Sequence, residues 1–282
     1  MSVPKNFSAP RGWAVATIGD LIGADGIFSD GDWVESKDQD PSGEVRLIQL
    51  ADVGDGRYLN RSTRFLTSSK ARELRCTYLE AGDVLIARMP DPLGRACIFP
   101  GDHKAAVTVV DVCIIRTGTE EIDHRWLMWA VNSPAFRMSV AKLQSGSTRK
   151  RISRGNLATL RLPVPPAAEQ KRVVAAIEEQ LTSLDAAVAA LTRVQANLKR
   201  YRAAVLKAAC EGRLVPTEAE LARAEGRDYE PASLLLERIV RERRDCAVKV
   251  DAGSERKDIS ELPRLPEGWS WATLPELVGQ LA

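Results

Sequence analysis

Histidine is nearly missing from this chain of 282 residues: only His103 and His124 occur. Five cysteines, Cys76, Cys97, Cys113, Cys210 and Cys246, are widely scattered and form no Cys-x-x-Cys pair. A structural zinc ion needs clustered thiolates and imidazoles, so this inventory argues against a metal site and for reduced, mostly buried thiols. No apolar run approaches the ~20 residues that a membrane-spanning helix requires. The opening MSVPKNFSAPRGW lacks the apolar core of a secretory signal, and the chain reads as cytoplasmic. Also missing are a GxxxxGK(S/T) phosphate loop, a GxGxxG turn opening a helix, an HExxH pair and a GxSxG elbow. There is no (N/D)PP(Y/F) segment of the kind amino-methyltransferases use on a flipped base. His103, beside Asp102 near expected strand ends, reads as a surface or structural group, and the acidic cluster Asp25–Asp40 has no partner at catalytic spacing. No active site emerges, and with it no cofactor held by this chain.

What is present is a soluble globular composition, 44% hydrophobic and 28% charged, long enough for one large domain or two modest ones. The formal net charge of +2 conceals an asymmetry. From Arg137 to Arg213 there are fifteen Lys/Arg and five Asp/Glu, a net +10 (15 − 5), which leaves −8 for the rest. Asp25–Asn60 holds nine acidic and three basic residues. A basic zone on a near-neutral chain points to a localised polyanion footprint, although solvated helix faces are also Lys/Arg-rich.

The dominant feature is the stretch from Pro163 to Pro216. Pro163, Pro165 and Pro166 cannot lie inside a helix, and Pro166 suits its first turn. Gly212 supplies a stop, with Pro216 shortly after. Between them Ile177, Leu181, Leu184, Val188, Leu191, Val194, Leu198, Tyr201 and Val205 follow one another at steps of three and four, a heptad-like seam with one short step at Val194. Some forty helical residues make a rod of roughly 60 Å. Such a rod cannot bury its stripe within its own small domain, and the seam calls for another long helix.

The rest of the chain is organised around that rod. Residues 1–9 read as a disordered lead-in. PRGWAVATIGDL (Pro10–Leu21) and PEGWSWATLPEL (Pro266–Leu277) match at six of twelve positions without gaps, an internal repeat offset by 256 residues. Between Gly23 and Leu160, strands are expected at Val45–Leu50, Asp83–Arg88, Ala96–Phe99 and Val107–Arg116, and helical periodicity at Thr67–Leu79 and Arg125–Leu143. The expected class is α+β: a globular mixed α/β domain with a mostly antiparallel or mixed sheet, followed by a long coiled-coil-like helix. Ser145–Arg154 (SGSTRKRISR) concentrates basic and hydroxyl side chains, suited to phosphates or to a solvated loop. After the rod, Pro216–Arg227 is polar, Pro231–Arg244 has the pattern of a short amphipathic helix, and Cys246–Leu262 reads as a charged linker. The boundaries are therefore 1–162, 163–215, 216–264 and 265–282.

Four landmarks in order, GSTRKRISRGNLATLRLPVPPAAEQKRVVAAIEE, LKAACEGRLVP, PASLLLERI and LPEGWSWATLPEL, resemble the specificity subunit of type I restriction-modification systems. Cys210 departs from the family pattern, which has an aromatic residue there. The resemblance implies a target-recognition domain reading half of a bipartite site on double-stranded DNA, with two long helices pairing antiparallel as a spacer. It implies methyltransferase subunits that hold S-adenosylmethionine, and restriction subunits that use ATP and magnesium, with no catalysis in the specificity subunit. This chain resembles a truncated or half-subunit, for which a homodimer through the long helix is an expectation. Arg88 and Arg95, flanking a Pro/Gly-containing loop, are expected to read bases. Lys104, Ser147, Thr148, Arg149, Lys150, Arg151 and Arg154 are expected on phosphates. The rival readings are a coiled-coil assembly scaffold without base recognition, and a nuclease or methyltransferase with an unfamiliar site.

Overall fold

The structure, a computed structural model, describes residues 9–90, 92–146, 149–245, 262–273 and 277. The expectations for residues 1–8, Ser147, Thr148, Cys246, the linker through 261 and positions 274–276 and 278–282 of the second repeat lie outside the described residues. Contacts divide the chain into two compact units, Met1–Ser183 and Leu184–Ala282.

In the first unit the chain runs β1 (Ala14–Thr17), α1 (Ile18–Ile22), β2 (Ile27–Asp30), β3 (Val45–Ile48), β4 (Phe65–Leu66) and α2 (Ser68–Glu73). It continues through β5 (Val84–Ala87), β6 (Ala96–Ile98), β7 (Ala106–Thr108), β8 (Val112–Arg116), α3 (His124–Asn132), α4 (Pro134–Leu143), α5 (Arg154–Ala158) and β9 (Arg161–Val164). Helix α6 (Ala167–Cys210) starts here and continues into the second unit, which adds α7 (Glu218–Glu225) and α8 (Ala232–Asp245). The architecture is α+β.

The core is set by strands with two apolar faces. In β5 every side chain is buried: Val84 and Ile86 face one cluster, Leu85 and Ala87 another. Adjacent β8 alternates likewise, with Cys113 and Ile115 on one side and Val112 and Ile114 on the other, as the period of two demands. These strands belong to an antiparallel sheet of order β2-β8-β5-β6. One face is covered by α1, α3, α4, α5 and the first turns of α6, through Ile18, Leu127, Phe136, Leu157 and Val174. The other packs toward a sheet of order β4-β3-β7, in which β3 and β7 are parallel. A third pair, β1 with β9, ties the chain's opening to the segment that feeds α6.

Several expected elements change on folding. Val107–Arg116 is not one strand but two, in different sheets, because the chain turns at Val109–Asp111, where Val112 N–H donates to Val109 O at 2.9 Å. Thr67–Leu79 keeps only one and a half turns of helix, α2, capped by the Thr67 hydroxyl on Lys70 N–H. Arg125–Leu143 breaks at Ser133, which ends α3 and caps α4 ahead of Pro134. The polar stretch after α6 contains α7, opened by a capping box between Thr217 and Glu220.

Both copies of the repeat form the same turn. Trp13 N–H donates to Pro10 O at 3.0 Å with Gly12 at φ 91°, and Trp269 N–H to Pro266 O at 3.2 Å with Gly268 at φ 86°. A positive φ at the third position is what a type II turn requires, which explains the shared glycine. Helix α6 ends as its punctuation predicts: Gly212 is left-handed at φ 67°, and Arg213 N–H returns to Ala208 O at 2.8 Å.

Candidate nucleic-acid interface

Four segments converge where β2 and β5 end and β8 begins. Gly31 N–H donates to Val112 O (2.8 Å), Arg88 N–H to Asp111 O (2.9 Å) and Ile152 N–H to Arg88 O (3.1 Å). On this edge the basic loop is closed as a hairpin by two bonds of 2.8 Å between the Ser145 and Arg151 backbones. Arg151 pairs with Asp111 at 3.8 Å, and Arg154 donates to Phe28 O at 2.8 Å while lying 4.0 Å from Asp30. Both thus anchor the loop and remain more than two-fifths exposed. Arg149 and Lys150 project from the hairpin into solvent, and among the described residues neither has a carboxylate partner. A rigid base carrying two free cations can meet phosphates without first releasing an internal partner.

The two arginines expected to read bases are both buried, Arg88 at this same edge. Arg88 is only 8% exposed and its guanidinium pairs with Asp30. Arg95, also 8% exposed, donates to the carbonyls of Val53 (2.5 Å), Leu50 (2.8 Å), Pro92 (3.1 Å) and Met89 (3.3 Å). Arg95 holds its loop from inside and Arg88 is tied to Asp30, although the buried Arg88 Nε has no hydrogen-bond partner among the described residues, so bidentate guanine contacts would require both guanidinium groups to leave these partners. Lys104 is exposed, but its ammonium lies 4.5 Å from the Phe65 ring centre and 3.2 Å from Gly43 O, and Arg46 ties neighbouring Asp102 down at 2.8 Å. Lys104 therefore sits beside β3 and β4, while the hairpin joins the ends of β2, β5 and β8. Trp33, three residues beyond β2, is 70% exposed, and no local sequence pattern distinguishes it from the buried Trp126.

The second surface is α6 itself. Leu184, Val188, Leu191, Val194, Leu198 and Tyr201 are all more than half exposed, with Leu191 at 69% and Tyr201 at 68%. Ile177, Leu181 and Val205 are half-buried. The seam is thus bare over its middle. Charge is also segregated along the helix: Ala167–Ala189 holds four acidic and two basic residues, Ala190–Cys210 five basic and none acidic.

The remaining chemistry is quiet. Burial pushes the Cys76 and Cys97 thiols up to about 12, and Cys113 higher still, so they are not nucleophiles at neutral pH. Among the described residues no group of three His, Cys, Asp or Glu could hold a metal ion, and no helix is long and apolar enough to cross a membrane.

No family model matches the chain. It is 34% identical over 103 residues to the specificity subunit of the type I restriction enzyme EcoBI from Escherichia coli, covering 36% of this chain and 21% of that one. It is 26% identical over 249 residues to the EcoAI specificity subunit, also from Escherichia coli, covering 70% of this chain and 41% of that one. The chain therefore spans less than half the length of these two curated relatives. Its fold matches the crystal structure of the HsdS subunit from Thermoanaerobacter tengcongensis with a TM-score of 0.52 at 22% identity, over 75% of this chain and 48% of that one. A chain from a structure concerned with assembly and conformational transition of the type I R-M system matches with a TM-score of 0.58, also at 22% identity, over 75% and 49%. In sequence the chain is similar to parts of the specificity subunits of type I restriction enzymes, and it shares the fold of the HsdS subunit.

Proposed function

We propose that the chain is a non-catalytic DNA-recognition subunit: its first unit reads one half of a bipartite duplex target, and α6 pairs with a second long helix to set the distance to the other half. The observation that carries this reading is the bare seam on α6, joined in one chain to an α+β unit whose basic hairpin is rigidly based. Six large side chains left in water along one face of a continuous helix need a partner of the same form. Charge segregation favours an antiparallel partner, because a like helix then sets its basic half against the acidic half of α6, whereas a parallel one sets basic against basic. A second copy of this chain meets both requirements, as does a corresponding helix from another specificity module. The same assembly would present docking surfaces for methyltransferase subunits carrying S-adenosylmethionine, joined by restriction subunits using ATP and magnesium, in the cytoplasm. On duplex DNA, Arg149 and Lys150 neutralise phosphates, and Arg151, Arg154, Ser147 and Thr148 complete that contact; Lys104 is a further phosphate ligand beside β3.

A coiled-coil scaffold would also have a bare seam, and sequence selectivity separates the two readings. The test is binding of the full chain, with its methyltransferase subunit, to a pool of duplexes against excess bulk DNA. Selective retention of a split site supports recognition; retention of none leaves the scaffold. Within a positive result, Arg149→Ala with Lys150→Ala should weaken all sequences alike and lower the slope of log affinity against log salt by ~1.8, at ~0.9 for each phosphate no longer neutralised. An unchanged slope removes the hairpin from the footprint.

A further inference from the structure

The first turn of α6 is gripped by two adjacent side chains that neither core packing nor DNA contact accounts for. Gln170 is 1% exposed. Its amide nitrogen donates to Pro165 O (3.0 Å) and Glu121 O (3.2 Å), and its amide oxygen accepts from Asp123 N–H (2.8 Å). All three partners are backbone groups, so no rotamer change on their side can relax the grip. Asp123 is in turn the cap of α3, its carboxylate accepting from Arg125 and Trp126 N–H. One buried amide therefore joins the starts of two helices. The neighbouring Glu169 accepts from the Trp13 indole at 3.2 Å, and Trp13 belongs to the first Pro-x-Gly-Trp turn, whose strand β1 pairs with β9 immediately before the helix. Beyond this turn, Val174 is buried in the core, and Arg125 reaches Glu178 at 3.2 Å on the surface.

We infer that Gln170 and Glu169 are positioning residues that fix the direction in which α6 leaves the recognition unit, with Gln170 the hinge pin and the Trp13–Glu169 bond its lateral stay. Leverage makes direction matter. From Gln170 to Val205 the helix advances about 53 Å, so a tilt of ~10° at its start moves the end of the seam by ~9 Å, more than two base-pair steps of ~3.4 Å. A carboxamide suits the task because it offers two donors and an acceptor in one plane without a buried charge. The consequence for target spacing rests on the DNA-recognition reading above; the positioning role itself does not.

The experiment measures direction without DNA. Spin labels are attached in the full chain at Lys142→Cys on α4 and Ser183→Cys on α6, both exposed, after Cys210→Ser and Cys246→Ser; Cys76, Cys97 and Cys113 are buried. Pulsed dipolar spectroscopy should give one narrow distance distribution. Gln170→Ala should widen it at least twofold, and Trp13→Phe, which removes the indole donor and part of the ring, should widen it less. A Gln170→Ala distribution as narrow as the parent's overturns the proposal, whether or not the melting temperature falls, because that pattern is support for the fold and not for direction. If Gln170→Ala does not fold, Gln170→Glu, which keeps the acceptor for Asp123 and loses both donors, is held to the same criterion. A second arm, with methyltransferase subunits, scores methylation of duplexes whose half-sites are separated by varied lengths: the parent should act at one separation and Gln170→Ala should spread to its neighbours. If the parent binds no DNA, the recognition reading fails while the distance measurement still decides the positioning role.

Discussion

In the first unit Leu85, Ile86, Ile114, Ile115 and Leu127 are sealed from solvent in two apolar clusters, whereas along α6 in the second, Leu191 and Leu198 stand in water. The contrast extends beyond that helix: the apolar side chains buried in the second unit, among the described residues, are Ala219 and Ala222, while Leu214, Val215 and Leu234 are exposed. Both regions are rich in aliphatic side chains, so composition does not separate them. Periodicity does. A strand period of two lets β5 and β8 bury both faces inside one unit, but a period near 3.5 along forty residues lines up a stripe that a single chain cannot cover. The first unit buries its apolar side chains within itself, and the second leaves the stripe of α6 exposed.

The largest expected effect breaks the second half of that contrast. Leu191→Asp with Leu198→Asp should weaken self-association, or docking of a second long helix, by at least ~100-fold, since each buried leucine is worth ~1.5–3 kcal/mol and ~1.4 kcal/mol is a factor of ten. Sedimentation across a concentration series reads this directly, and the unfolding midpoint of the first unit should stay put. An association constant unchanged by two carboxylates on the seam would mean that another surface holds the assembly together.

A smaller effect breaks the first half. Leu127 is fully buried under the four-stranded sheet, and Leu127→Ala should cost about 2–5 kcal/mol of stability by leaving a cavity there. Denaturant unfolding measures the loss. Association through α6, followed below the new midpoint, should be preserved; if both fall together, the packing under the sheet also supports the seam.

How much of this is readable from sequence differs between the regions for the same physical reason. The long helix is punctuated by proline and glycine and repeats its pattern many times, so its bounds and bare stripe are legible from spacing alone. The Pro-x-Gly-Trp repeat is legible too, and its glycine proves to be the positive-φ residue of a turn. Val107–Arg116 is not, because its turn is made of Val109, Val110 and Asp111 without a glycine or proline to mark it. The break at Ser133–Pro134 and the capping box of α7 do carry local signals, overridden by the longer periodicity around them. Arg88 and Arg95 illustrate a deeper limit. Spacing along the chain does not show that Arg88 pairs with Asp30, or that Arg95 meets the carbonyls of Leu50 and Val53, more than forty residues away. Gln170 lies inside the first of the four landmarks, yet its role depends on Glu121 and Asp123, which only the fold brings to it.

The smallest expected effect lies at the edge where the first unit would meet DNA. Asp32 is half-buried beside that edge, accepting from Thr77 N–H at 3.0 Å, and burial raises its carboxyl above the ordinary aspartate value. A group that binds its proton more tightly when folded makes the folded state less stable as pH rises from the unfolded value, about 3.9, through the raised folded value. At neutral pH Asp32 is therefore a mild liability, tolerated beside a surface whose other carboxylates, Asp30 and Asp111, are answered by Arg88, Arg151 and Arg154. Asn keeps an acceptor for Thr77 and carries no charge. Asp32→Asn should melt slightly above the parent at pH 7, and the gap should close as the pH is lowered toward 4. A variant that melts below the parent at pH 7 and converges with it only in acid would show that the ionised carboxylate stabilises this edge, and that the acidic loop after β2 is held by charge and not merely accommodated.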